Sequence, residues 1–96
     1  MNFVFHPDAE VEFFEAIEYY EAIETGLGQD FSLEVLSSLQ DICDHPLAWP
    51  ALADGVRRCL TNRFPFGIIY GIEKGRISVL AVMHLRRQPD YWKNRH

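Results

Sequence analysis

The stretch FGIIYGIEKGRISVLAVMHL, residues 66–85, decides how the rest of the chain is read. Phe66, Ile68, Tyr70 and Ile72 alternate with Gly67, Ile69 and Gly71, the period of an extended strand. Glu73-Lys74-Gly75 then supplies hairpin turn chemistry, with the glycine where positive φ is needed. Beyond it Ile77, Val79, Ala81 and Met83 alternate with Leu80 and Val82, so Arg76–Leu85 is apolar on both faces. Such a strand lies inside a sheet rather than at its margin, and is predicted to be the central one.

Upstream lie two helices to cover it. Pro7 suits the first position of a helix, and Asp8 and Glu10 sit in the first turn, at the positive end of the dipole. Ala9, Phe13, Ala16, Ile17, Tyr20 and Ile23 recur at spacings of three and four, which makes one apolar face. Glu12, Glu15, Glu18 and Glu21 fall opposite and read as a solvated face. Phe14 and Tyr19 lie off the stripe, to flank it or to serve a partner. Gly26 is predicted as a left-handed helix cap with Leu27 as its hydrophobic contact.

A second stripe of Phe31, Val35, Leu39 and Ile42, widened by Leu36 and Cys43, predicts a second helix after a Gly-Leu-Gly turn. His45 before Pro46 ends it, because a residue preceding proline is pushed out of the helical region. Two helices joined by so short a turn pack antiparallel. Asn2–His6 reads as a first strand, Pro46–Gly55 as a crossover with Trp49 plugging the gap between helices and sheet, and Val56–Asn62 as a weakly patterned strand. The predicted fold class is α+β, in the order β-αα-βββ. An antiparallel helical hairpin packs on a small, mainly antiparallel four-stranded sheet, followed by a short basic C-terminal tail, as one domain over residues 1–96.

Composition narrows the function classes. The chain has 96 residues, 48% hydrophobic and 24% charged, an ordinary globular balance. Two cysteines make no disulfide scaffold, no apolar run is long enough to cross a membrane, and the N-terminus carries no signal-peptide pattern, so a cytoplasmic location is expected. Charge is unevenly placed. Residues 1–50 hold eleven acids and no Lys or Arg, whereas residues 51–96 hold nine basic residues against three acids, for a net −5. That asymmetry implies one electropositive face, or two halves that attract each other within the fold. The net negative charge disfavours nucleic acid as a long-range partner.

The sequence has no G-x-G-x-x-G, P-loop, G-x-S-x-G or H-E-x-x-H, and the histidines and cysteines lack ligand spacing, so no metal and no cofactor are expected. Arg57 and Arg58 beside Cys59 favour a lowered thiol pKa. The informative cluster is basic and aromatic: Arg57, Arg58 and Arg63 flank the first late strand, and His84, Arg86, Arg87, Tyr91 and Trp92 follow the last. These are candidate target- or partner-binding residues, suited to phosphates and bases or to a protein surface. The opposing expectation is that Tyr91 and Trp92 fold back over the sheet while the arginines pair with Asp54 or Asp90.

The segments HPDAEVEFFEAIEYYE, GLGQDF, DHPLAWP, GVRRCLTNRFPFGIIY and ISVLAVMHLRRQPDYW, in that order, resemble the RelE/ParE superfamily of toxins from bacterial type II toxin–antitoxin systems. The resemblance covers nearly the whole chain and implies the same fold. It also implies growth arrest, a cognate antitoxin as partner, and a homodimer or a toxin–antitoxin hetero-oligomer as assembly. One branch, similar to RelE, cleaves messenger RNA at the ribosome with a strand arginine, basic residues at and after the last strand, and a tyrosine near the C-terminus. The other, similar to ParE, poisons DNA gyrase without being a nuclease. The strand arginine falls on Gly67 here, and a second lies near Leu85, with Arg86 and Arg87 beside it. Tyr91 matches the terminal tyrosine. A cation stabilising the developing phosphorane is worth about 3–4 kcal/mol in a preorganised site. Its loss at Gly67 directs the expectation to gyrase. The alternatives are a ribosome-dependent endoribonuclease, with His84, Arg86, Arg87 and Tyr91 as catalytic residues, or a non-toxic interaction module.

Overall fold

The hairpin of residues 66–85 forms in the computed structural model, which describes residues 1–95. In chain order the elements are β1 (Phe3–Phe5), α1 (Pro7–Ile23), α2 (Leu27–Asp44), β2 (Ala51–Ala53), β3 (Val56–Leu60), β4 (Phe66–Glu73) and β5 (Arg76–His84). Among the described residues the sheet runs β1-β5-β4-β3-β2, with β1 parallel to β5 and the other pairs antiparallel. The fold is α+β as expected, with five strands in place of four. β2 is three residues long and follows Pro50, too short to leave a readable period. Because β2 extends the sheet on the far side, β4 takes the middle position and β5 lies next to it.

The turn between β4 and β5 has Lys74 at φ 53 and Gly75 at φ 76, both left-handed. With Glu73 paired to Arg76, this is the two-residue connection whose twist matches the flanking strands. Farther along, a bulge interrupts the pairing: Tyr70 faces Val79 but Ile69 faces Ala81, leaving Leu80 as the extra residue. The bulge resets the alternation read from sequence. Ile77 and Val79 face the helices, Leu80, Ala81 and Met83 face away, and Val82 returns to the helical side. A strict period of two had placed Ala81 and Met83 with Val79.

The helices meet closely because of Gly28. A Cβ there would lie 2.6 Å from the Ile17 carbonyl oxygen, so a side chain would force them apart. No Gly-Leu-Gly turn exists, since Leu27 and Gly28 are already in α2 and Gly26 (φ 91) precedes its first residue. Glu21 caps this start from the other helix: its carboxylate accepts from the Gly26 amide (3.0 and 3.1 Å) and the Gly28 amide (3.1 Å). Ala9, Phe13 and Ala16 are buried as predicted, Ile17 and Tyr20 partly, whereas Ile23 is exposed because α1 stops there. Phe31, Val35, Leu39, Ile42 and Cys43 are buried, and Leu36 lies outside the stripe.

Two cores result. The larger joins both helices to Phe66, Ile68, Tyr70, Ile77, Val79 and Val82, with Trp49 packed against it. The smaller lies on the opposite face of the sheet, where Val56, Ile69, Leu80, Ala81 and Met83 are covered by Trp92 and partly by Tyr91. The tail reaches that face through a succession of turns, with Tyr91 N–H to Gln88, Lys93 N–H to Asp90 and Arg95 N–H to Trp92. Trp92 is 2% exposed, so its expected place among contact residues is corrected: its indole is core.

Candidate functional site

The basic and aromatic residues singled out from the sequence do not form one patch. Arg57 and Arg58 are adjacent on β3 and therefore point to opposite faces of the sheet. Arg57 donates to the carbonyls of Trp49 (2.6 Å) and Leu47 (3.4 Å), and so ties down the crossover. Arg58 makes no ion pair among the described residues. Arg63 pairs with Asp30 at 3.0 Å, and its amide donates to Glu34 (3.1 and 3.2 Å), which fastens the β3–β4 loop to α2. Of these three only Arg63 pairs with an acid, and that acid lies on α2 in place of the expected Asp54 or Asp90.

His84, Arg86, Arg87 and Tyr91 do gather, at the end of β5. The Arg86 amide donates to His84 Nδ1 at 3.1 Å. The imidazole stands edge-on to Phe66, ring centres 5.2 Å apart. Arg86 itself is exposed and makes no ion pair among the described residues. Arg87 lies 3.9 Å above the Tyr91 ring and donates to Glu12 at 3.4 Å. His84 and Arg87 line an open groove of about 380 Å³ together with Glu12, Glu15, Tyr19, Phe66 and Val82.

Glu12 is the residue that sequence reading misplaced. Its side chain is 10% exposed, not solvated. It accepts from Arg95 (2.9 Å), Arg87 (3.4 Å) and the Val82 amide (3.1 Å). Arg95 completes the arrangement by donating to the Leu80 carbonyl at 3.1 Å. These backbone groups lie just past Phe5↔Val79, the last pair of β1 with β5. Glu12 and Arg95 therefore satisfy an edge that β1 is too short to cover. Nothing separates Glu12 from Glu15 or Glu18 in the sequence, because the bulge that aims Val82 at it is a tertiary feature.

Burial pushes the Tyr91 phenol up, and the neighbouring Glu12 carboxylate adds to the shift. Its hydroxyl is enclosed without a hydrogen-bond partner, as is the Trp92 indole N–H. The Cys59 thiol is pushed up to about 11 by burial, opposite to the lowering its arginine neighbours had suggested. Arg57 and Arg58 direct their guanidinium groups elsewhere.

Gly67 clarifies the missing cation. A Cβ at Gly67 would meet Arg58 Cδ at 3.2 Å, Arg58 Cγ at 3.3 Å and Leu60 Cδ2 at 3.6 Å, all on the sheet face away from the helices. His84 sits on the helical side with Phe66. Position 67 and His84 thus address opposite faces of the sheet. No group of three or more His, Cys, Asp or Glu residues among the described residues is arranged to hold a metal ion. No helix among them is long and apolar enough to cross a membrane.

A family model described as the ParE toxin of type II toxin–antitoxin systems, parDE, matches residues 3–89. Among solved structures, the chromosomal ParDE toxin–antitoxin system from P. aeruginosa contains a chain of the same fold. The TM-score is 0.75 at 14% identity, over 90% of this chain and 97% of that one. No curated protein sequence matches.

Proposed function

This chain belongs to the ParE toxin family of type II toxin–antitoxin systems, a RelE/ParE superfamily toxin, and from that premise we propose that it arrests growth by engaging DNA gyrase. In this reading it acts in the cytoplasm by protein contact, without cutting RNA, and a cognate antitoxin silences it. The observation that carries the choice of target is the opposition of Gly67 and His84 across the sheet. Ribonucleolytic attack needs a cation and a proton exchanger converging on one phosphate. Here Arg87 is engaged by Glu12, and the Tyr91 hydroxyl is enclosed. Arg86, exposed, and His84, in the wall of the groove, are what remains, suited to anchoring a partner at the end of β5.

The test is pulse-labelling of DNA and protein synthesis in a bacterium within minutes of inducing this chain alone, paired with gyrase supercoiling assays on purified protein. DNA synthesis falling first, with supercoiling inhibited, supports the proposal. Translation falling first, with messenger cleavage abolished by His84→Ala, would replace it with the endoribonuclease reading. Growth without arrest, with a stable antitoxin complex, would leave an interaction module.

A further inference from the structure

The face of the sheet turned away from the helices is closed by the tail, which is attached unlike any other part of the molecule. Beyond Arg87, whose amide donates to the His84 carbonyl at 3.0 Å, the backbone of residues 88–95 bonds to itself: Tyr91 N–H to Gln88, Lys93 N–H to Asp90 and Arg95 N–H to Trp92. Three side chains hold it down. Tyr91 and Trp92 pack on Val56, Ile69, Leu80, Ala81 and Met83. Arg95 reaches Glu12 at 2.9 Å and the Leu80 carbonyl at 3.1 Å, and lies 3.8 Å from Asp8. The Trp92 indole N–H and the Tyr91 hydroxyl are enclosed, yet neither finds a hydrogen-bond partner among the described residues. Each gives up water on closing without a replacement, which offsets part of the gain from burying the two rings. The sheet does not need the segment: β3, β4 and β5 keep their ladders, and the larger core lies on the other face.

We propose that residues 88–95 are a strap that lifts from the sheet as one unit, below the free energy of global unfolding, and so opens and closes the apolar face beneath. Arg95 on Glu12 is the latch. The anchors all fall between Tyr91 and Arg95. The Arg95 guanidinium also lies 4.9 Å from the centre of the Tyr91 ring, so release of one anchor loosens the others. Lifting returns the unpaired N–H and hydroxyl to water and brings Val56, Ile69, Leu80, Ala81 and Met83 within reach of solvent. Such an opening is sub-global, because the strands and the larger core stay in place. The proposal concerns the face away from the helices and stands or falls independently of the gyrase reading.

The test is native-state hydrogen exchange by NMR at low guanidinium concentrations, read at the Trp92 indole N–H and at the amides of β4. The indole is enclosed and unbonded, so it exchanges only when the strap lifts. Relative to the intrinsic rate of each group, it should exchange at least about tenfold faster than β4. Its rate should also depend less steeply on guanidinium, since lifting exposes less surface than global unfolding. Arg95→Ala should speed indole exchange at least about fivefold, and Arg95→Lys by less. Ile42→Val, in the larger core, should lower the protection of β4 and leave the indole unchanged. The same spectra report whether each variant is folded, and Arg95→Lys serves if Arg95→Ala is not. Three results would each overturn the proposal: indole exchange that follows β4 in slope and in its response to Ile42→Val, an indole indifferent to both changes at Arg95, or one that exchanges as in an unfolded peptide.

Discussion

Glu12 Oε1 and Arg95 Nη1 stand 2.9 Å apart, 83 residues distant in sequence, with side chains 10% and 13% exposed. The pair joins the first helix to the end of the tail and bridges the backbone of Val82 and Leu80 on the strand between them. Breaking one partner of an enclosed pair leaves the other charge without its compensation. Glu12→Ala should therefore cost about 2–4 kcal/mol in urea unfolding, and Glu12→Gln less, because the amide oxygen still accepts from Val82. Arg87→Ala, whose side chain is half exposed, should cost under about 1 kcal/mol. Equal losses for Glu12→Ala and Arg87→Ala would refute the assignment.

Trp92 covers the second core but encloses an N–H with no acceptor, and Tyr91 does the same with its hydroxyl. Trp92→Ala should lose about 3–5 kcal/mol, the range for truncating a large buried aromatic. Trp92→Phe and Tyr91→Phe keep most of the packing and remove the unpaired groups, so each should be within about 1 kcal/mol of wild type or more stable. Thermal unfolding of the three variants separates the effects. Tyr91→Phe should also leave growth arrest intact; loss of arrest with stability unchanged would point back to a phenol in catalysis.

Cys59 gives a pH signature. Its folded pKa is raised to about 11 from an unfolded value near 9, so between those pH values the native state holds a proton that the unfolded state has released. Stability from this group is complete below pH 9 and declines as pH rises towards 11. Urea midpoints measured across that window should fall more steeply for wild type than for Cys59→Ala, whatever the offset between them. Parallel curves would mean the thiol does not titrate with folding.

Gly67→Arg restores the residue type expected of a nuclease strand, yet on the face away from His84. It should produce no messenger cleavage in a translation extract, and it should displace the Arg58 stem that fills the space. Cleavage that depends on His84 would show that both groups reach one substrate.

Arg86 is exposed and unpaired among the described residues, so Arg86→Glu should leave the unfolding midpoint unchanged within about 0.5 kcal/mol. Under the gyrase proposal it should weaken supercoiling inhibition at least about tenfold, as expected of an arginine anchor. Unaltered inhibition would remove the β5 end from the contact surface.

The sequence by itself determined the hairpin, the two helices and their order, because these rest on local rules. Alternation in Phe66–Ile72, spacings of three and four in Phe31–Cys43, and the His45-Pro46 stop each act within a few residues. It also determined the superfamily, through five segments in the right order. Tertiary structure alone decided which glutamate is enclosed, which side of the sheet His84 takes, and whether Trp92 is core or surface. Each depends on one extra residue at Leu80, a strand of three residues that ends at Phe5, and a tail that folds back across the sheet. Those are geometric events between distant parts of the chain, and a residue carries no local mark of them. The arginines show the same division: their number and clustering were legible, but their separation into ties, stacks and free cations was set by where the acids of the helices came to lie.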